Sequence, residues 1–202
     1  MQPTISPLAV DIAQAKAALR HSARALRDAL PSELRARAAA TVAERPFPRA
    51  LSAGAIVSGF MPLKSEINPI PLMRRLVDGG VSLALPVVCG RGRPLQMRAF
   101  AFGDSLVPGV WGIREPKPEA PQVLPDVLLV PLLAFDRRGH RLGYGAGYYD
   151  LTIASLRAQG SVLAVGIAYA AQEVVQVPAT AVNRPISNEL RAGKRSWMRR
   201  GK

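Results

Sequence analysis

The chain has 202 residues, 49% of them hydrophobic, which is enough for one full apolar core and marks a globular, not a disordered, chain. No apolar run approaches the roughly 20 residues of a membrane helix, the N-terminus lacks a charged-then-apolar leader pattern, and a single cysteine excludes an intramolecular disulfide, so a cytoplasmic protein is expected. The net charge of +13 invites a nucleic-acid reading, but the basic excess is scattered and the few aromatics do not alternate with it, which argues against nucleic acid as the natural partner.

In chain order, Ile12, Ala15, Leu19, Ala23, Leu26 and Leu30 recur near the 3.6-residue period, so residues 11–30 are expected as a helix with these in its apolar stripe. Lys16 and Arg20 stand four apart on one face, with Arg24 and Arg27 roughly along it. Such a row is either a solvated basic face or, in Lys16 and Arg20, two cations aimed at phosphate. Pro31-Ser32-Glu33 starts a second helix, with Ser32 as its N-cap, which ends near Arg45-Pro46. Residues 56–60 form a short strand that includes Phe60, and the turn after it carries Met61 and Glu66. Ligands of open α/β sheets sit at such strand ends, where a carboxylate can grip amino groups; the same Glu66 would also suit the dipole of the next helix. That helix covers residues 69–78 and stops at Gly79-Gly80. Strands follow at 81–88 and 97–102, and Cys89 reads as a small core hydrophobe after the first of them. Residues 103–121, rich in Gly and Pro, read as a loop in which Trp111 either stacks on a flat ligand ring or anchors the loop to the body.

Residues 126–134 are an apolar run with the length and branching of a buried strand, and residues 148–159 read as a helix. Between them lies FDRRGHRLGYGAGYYD, residues 135–150, around which the rest of the chain is organised. Gly143, Gly145 and Gly147 alternate, so the backbone can approach a ligand closely and aim several N–H groups one way. The helix N-terminus beyond adds partial positive charge, and Arg137, Arg138 and Arg141 add full charges. The pattern is neither a Walker A loop nor a clean dinucleotide fingerprint. It fits either an anion cradle for phosphate or a plain turn, and its company favours the cradle: Arg141 before it, Tyr148, Tyr149 and Asp150 after it. A further strand is expected at 162–167 and a short helical or turn segment from Ala171 to Glu173, whereas residues 178–200 carry no readable element. Strands alternating with helices predict an α/β domain with a largely parallel sheet.

On these residues the chain resembles the 5-formyltetrahydrofolate cyclo-ligase (methenyltetrahydrofolate synthetase) family. The resemblance covers roughly residues 16–178 and is most specific in GHRLGYGAGYYD. It is supported by Lys16 and Arg20, by Glu66, by Leu85-Pro86-Val87, by Trp111 to Pro116 and by Gln172. It implies a single three-layer α/β/α domain over residues 1–187, a basic tail over 188–202, and a monomer. It also implies a ligase of one-carbon metabolism that uses ATP and Mg²⁺ to turn 5-formyltetrahydrofolate into 5,10-methenyltetrahydrofolate. By position, Lys16 and Arg20 would hold ATP phosphates, with Lys16 and Arg141 as the catalytic cations. The loop Arg141, Leu142, Gly143, Tyr144, Gly145, Ala146, Gly147, Tyr148 and Tyr149 would wrap the nucleotide, and Asp150 would help hold Mg²⁺. Glu66 and Met61 would meet the pterin, Tyr144 to Tyr148 would line the folate side, and Phe60, Trp111 or Tyr149 would pack on flat rings.

The chain departs from the family pattern near its end. Val182 stands where a His is expected, and Asn183 and Ser187 stand where acids are expected. Neutral oxygens there would weaken metal binding. A non-catalytic folate- or nucleotide-binding relative is therefore the second reading, and an RNA-binding protein using the basic helix and tail is the third.

Overall fold

The computed structural model describes residues 7–178 and 188–192. In chain order it has helices α1 (Pro7–Asp28) and α2 (Ser32–Glu44), strand β1 (Ile56–Ser58), helix α3 (Ile70–Asp78), then strands β2 (Ser82–Val87) and β3 (Gln96–Phe100). There follow β4 (Leu106–Pro108), β5 (Arg114–Pro116), β6 (Val127–Pro131), β7 (Ala134–Phe135), β8 (Arg141–Leu142), helix α4 (Tyr148–Gln159) and strands β9 (Leu163–Tyr169) and β10 (Asn188–Ala192). Six strands form one sheet in the order β10-β9-β6-β1-β2-β3, all neighbours parallel except β3, which runs antiparallel to β2.

The register of β6 shows how the layers arise. Alternate residues point to opposite faces. Val127 and Leu129 pack with Val42 of α2 and Leu72, Met73 and Leu76 of α3, while Leu128 and Val130 pack with Ile153 of α4. All four β6 side chains are completely buried, each contributing about 1.5–3 kcal/mol of apolar burial. A strand covered on both faces reads as a continuous apolar run, which is why it stands out in the sequence. The result is the three-layer α/β/α domain with a largely parallel sheet. From β1 the chain steps to β2 on one side and later returns to β6 on the other, so the topological switch point lies between the ends of β1 and β6. Ligands bind at such crevices.

Four details differ from the sequence expectation. In α1, Leu26 is 52% exposed and Arg27 only 3%. The helix packs Ala23 on Leu133, Ala134 and Leu142 over the strand ends, not on the sheet face, so its inward side takes in cations and Leu26 rolls outward. Residues 103–121 are not structureless, because β4 and β5 pair antiparallel within them. The strand expected over residues 126–134 stops at Pro131, and β7 and β8 then pair as a hairpin before the glycine loop. Cys89 is exposed, not core, because the chain has left the sheet after Val87.

At the far edge, β10 pairs parallel with β9, Leu190 opposite Ile167. The region expected as a basic tail from residue 188 thus opens with a sheet strand. Val182, Asn183 and Ser187, together with residues 193–202, lie outside the described residues. No helix among the described residues is long and apolar enough to cross a membrane.

Candidate active site

A cleft of about 800 Å³ opens at the C-terminal ends of β1, β2 and β6, where Phe60, Met61, Pro86, Val88 and Pro131 form its floor. One wall is the inward face of α1, with Lys16, Arg20, Arg24 and Arg27; the other is the loop 141–150. The turn after β1 supplies Glu66, and the β4–β5 loop supplies Trp111, Ile113 and Glu115. Lys16, Arg20, Met61, Glu66, Trp111 and residues 141–150 all line this cleft. A second depression of about 530 Å³ between residues 93–97 and α4 shares only Leu95 with it.

The glycine loop is shaped for close approach. Gly145 (φ +107°) and Gly147 (φ +75°) occupy backbone conformations that side chains rarely adopt, and Gly147 caps the start of α4. Arg20 Nε donates to the Gly143 carbonyl at 3.0 Å, fixing the loop against α1. A Cβ at Gly145 would lie 3.5 Å from the Arg20 guanidinium. Lys16 sits on the same side; burial and the neighbouring Arg20 lower its pKa, with Asp150 acting in the opposite direction. Arg141 is 5% exposed. Its Nη2 donates to Asp150 Oδ1 at 2.6 Å, while its Nε is buried without a partner. The guanidinium thus brings a buried positive charge, balanced by one carboxylate, to the wall of the cleft.

The other end of the cleft centres on Glu66. Its Oε2 accepts the Leu63 amide at 2.8 Å and its Oε1 accepts the Tyr144 hydroxyl. Burial raises its pKa, an effect that the Tyr144 and Leu63 hydrogen bonds and the Arg27 charge only partly offset. Burial, followed by the Glu66 charge, also pushes the Tyr144 hydroxyl upward, so it is a proton donor at neutral pH. Trp111, with φ +59° and 62% exposed, meets Tyr148 edge-on with ring centroids 5.9 Å apart. Phe60, only 3% exposed, is part of the core that α2 and α3 cover as well as of the cleft floor.

Arg137 and Arg138 do not join the cleft. Arg137 pairs with Glu173 at 2.6 Å and Arg138 with Asp136 at 3.0 Å, because the β7–β8 turn directs both away from it. Sequence reading missed three residues. Asp136 is wholly buried and accepts from the backbone amides of Arg138 (2.9 Å), His140 (3.1 Å) and Val177 (3.0 Å). Burial alone would raise its pKa, but these bonds hold it below the usual carboxylate range. Glu115 lies in the cleft wall, 7% exposed, accepting the Val88 amide at 3.3 Å. Gly109 leaves it room, since a Cβ there would sit 2.1 Å from its carboxyl carbon. Arg27 is the third; the only sequence signal for it was its place in the α1 row.

The fold and the cleft define an α/β protein with a cationic, glycine-built anion cradle at its switch point and an acid-lined pocket beside it. The chain belongs to the 5-formyltetrahydrofolate cyclo-ligase family, whose model matches residues 12–189. It is 40% identical over 123 residues to 5-formyltetrahydrofolate cyclo-ligase of Mycolicibacterium smegmatis, covering 55% of this chain and 61% of that protein. The same-named protein of Escherichia coli K12 is 34% identical over 131 residues, 60% of this chain and 69% of that one. The chain therefore spans less than two thirds of the Mycolicibacterium relative. Among solved structures, Aquifex aeolicus 5,10-methenyltetrahydrofolate synthetase superposes with a TM-score of 0.76 at 29% identity, over 93% of this chain and 94% of that one. The Mycoplasma pneumoniae synthetase has a TM-score of 0.65 at 20% identity, a likeness of fold.

Proposed function

We propose that this chain is an ATP-dependent cyclo-ligase that converts 5-formyltetrahydrofolate to 5,10-methenyltetrahydrofolate with release of ADP and phosphate. The observation that carries this is one cleft holding Lys16, Arg20 and Arg141 around a glycine loop at one end and Glu66 at the other. Lys16, Arg20 and the amides of residues 143–149 bind the phosphates. Arg141 sets its guanidinium charge against the phosphoryl group in transfer, where charge is spread over equatorial oxygens. Glu66 accepts the pterin N–H donors. The formyl oxygen attacks the γ-phosphate, which turns a poor leaving group into a phosphate ester; N10 then attacks the activated carbon and phosphate departs. The chain supplies position and charge, not a nucleophile.

Asp150 is the residue that would hold Mg²⁺. Among the described residues no group of three or more His, Cys, Asp or Glu gathers, which suits a cation held mainly by substrate phosphates and water with one or two carboxylates. When bound, Mg²⁺ neutralises phosphate charge.

The test is formation of methenyltetrahydrofolate from 5-formyltetrahydrofolate by the purified chain, with and without ATP and Mg²⁺. ATP-dependent turnover supports the ligase. Folate binding without turnover favours the second reading, a binding relative, which the neutral Asn183 and Ser187 motivate. Restoring acids at those two positions would then separate an altered enzyme from a true binder.

A further inference from the structure

The cationic row of α1 divides between the two ends of the cleft. Lys16 and Arg20 face the glycine loop, whereas Arg27, seven residues on and so about 10 Å further along the helix, reaches the Glu66 turn. Arg27 is 3% exposed. Its Nε donates to Ser65 Oγ at 2.9 Å, its Nη1 donates to the Tyr144 hydroxyl, and its guanidinium carbon lies 5.5 Å from the Tyr144 ring centroid. The nearest carboxylate, Asp28, is 4.0 Å from Nη2 and takes the Ser65 hydroxyl proton.

Proton counting fixes the direction of this network. Arginine only donates, while a tyrosine hydroxyl has one proton to give and lone pairs to receive. With Arg27 donating to Tyr144, the hydroxyl proton must point to Glu66 Oε1. Glu66 then uses one lone pair for Tyr144 and one for the Leu63 amide. Of its roughly four lone-pair sites, two stay open toward the cleft.

On the proposed cyclo-ligase reading, we infer that Arg27 is a positioning residue for the folate end of the cleft, orienting Tyr144 and through it presenting the open oxygens of Glu66 to the pterin N–H donors. Arg27 does not touch the reacting atoms. Its effect should fall on folate and spare the nucleotide, which a general loss of structure would not do.

The experiment compares wild type with Arg27→Met, Arg27→Lys and Tyr144→Phe, measuring kcat and KM for each substrate together with thermal melting. Tyr144→Phe removes only the hydroxyl and keeps the loop backbone, so it carries the test if Arg27→Met does not fold. Expected is a rise in folate KM of about 10- to 100-fold for Arg27→Met and Tyr144→Phe, with ATP KM within about twofold and partial recovery in Arg27→Lys. An unchanged folate KM in folded variants, or equal rises in both KM values, overturns the role. If wild type shows no ATP-dependent turnover, the ligase reading fails separately, and direct titration of 5-formyltetrahydrofolate by protein fluorescence still decides Arg27. In that titration, weaker binding by Arg27→Met with partial recovery in Arg27→Lys upholds the role; equal binding by folded Arg27 variants, or none by wild type, removes it.

Discussion

Glu66 is a half-buried carboxylate whose usefulness depends on being ionised, because protonation turns one of its acceptor oxygens into an O–H donor that opposes the N–H donors of a ligand. Burial raises its pKa, so it takes up a proton at a higher pH than an exposed glutamate does. Folate KM is expected to climb as pH falls through that raised pKa, while ATP KM stays flat over the same range. Glu66→Gln should raise folate KM at neutral pH and abolish the slope; a slope that survives the substitution would assign the titration to another group. At the opposite end, Asp150 gives one carboxylate oxygen to Arg141. Asp150→Ala is expected to lower turnover at limiting Mg²⁺ by about 10- to 100-fold and to raise the Mg²⁺ concentration for half-maximal rate. A magnesium titration that matches wild type would remove Asp150 from the metal site. Asp150 drew notice in the sequence because it closes the dense glycine-loop motif, and Glu66 because it stands at the end of a strand. Arg27 did not, since nothing within its own helix separates it from Arg24, which stays exposed; its partners Ser65 and Tyr144 are 38 and 117 residues away.

The β7–β8 hairpin is the element that aims Arg141 into the cleft. It has two residues in each strand, too few for any period to show, and its turn is built from charged residues that resemble a solvated loop. What makes it a fixed structure is Asp136, whose side chain collects three backbone amides and ties the turn to Val177. Truncating it leaves those donors buried and unpaired. Asp136→Ala should therefore cost about 2–4 kcal/mol of stability, read as a drop in denaturation midpoint. Because the folded-state pKa of Asp136 is lowered, its contribution is present above the unfolded carboxylate pKa and is lost as pH falls through the folded value. The wild-type midpoint should thus fall in acid more steeply than that of Asp136→Ala. Strand β6 was legible for the opposite reason, since it buries a continuous apolar run that local pattern alone exposes, and α3 was legible from its Gly79-Gly80 stop. Strands β4 and β5, three residues each among prolines and glycines, and β10, in a basic stretch, are set by pairing partners that no local pattern reveals.

At the scale of the whole molecule, the cleft gathers four separate parts of the chain around one empty volume: α1, the turn after β1, the β4–β5 loop and the glycine loop. A ligand that bridges them binds the folded state alone and must stabilise it. At 100 times its Kd a substrate contributes about 2.7 kcal/mol, which for a domain of this size corresponds to a rise in Tm of roughly 5–11 °C. Mg²⁺ with ATP, and 5-formyltetrahydrofolate, should each produce such a rise by calorimetry, and a melt indifferent to both would contradict the proposed site. The hydrogen bond between Arg20 and the Gly143 carbonyl spans 123 residues. On a ribosome adding about 5–20 residues per second, α1 emerges roughly 6–25 s before its partner loop has been made. Throughout that interval the newborn helix displays Lys16, Arg20 and Arg27 with nothing of the loop to meet, so the proposed site cannot close until most of the nascent protein has been made.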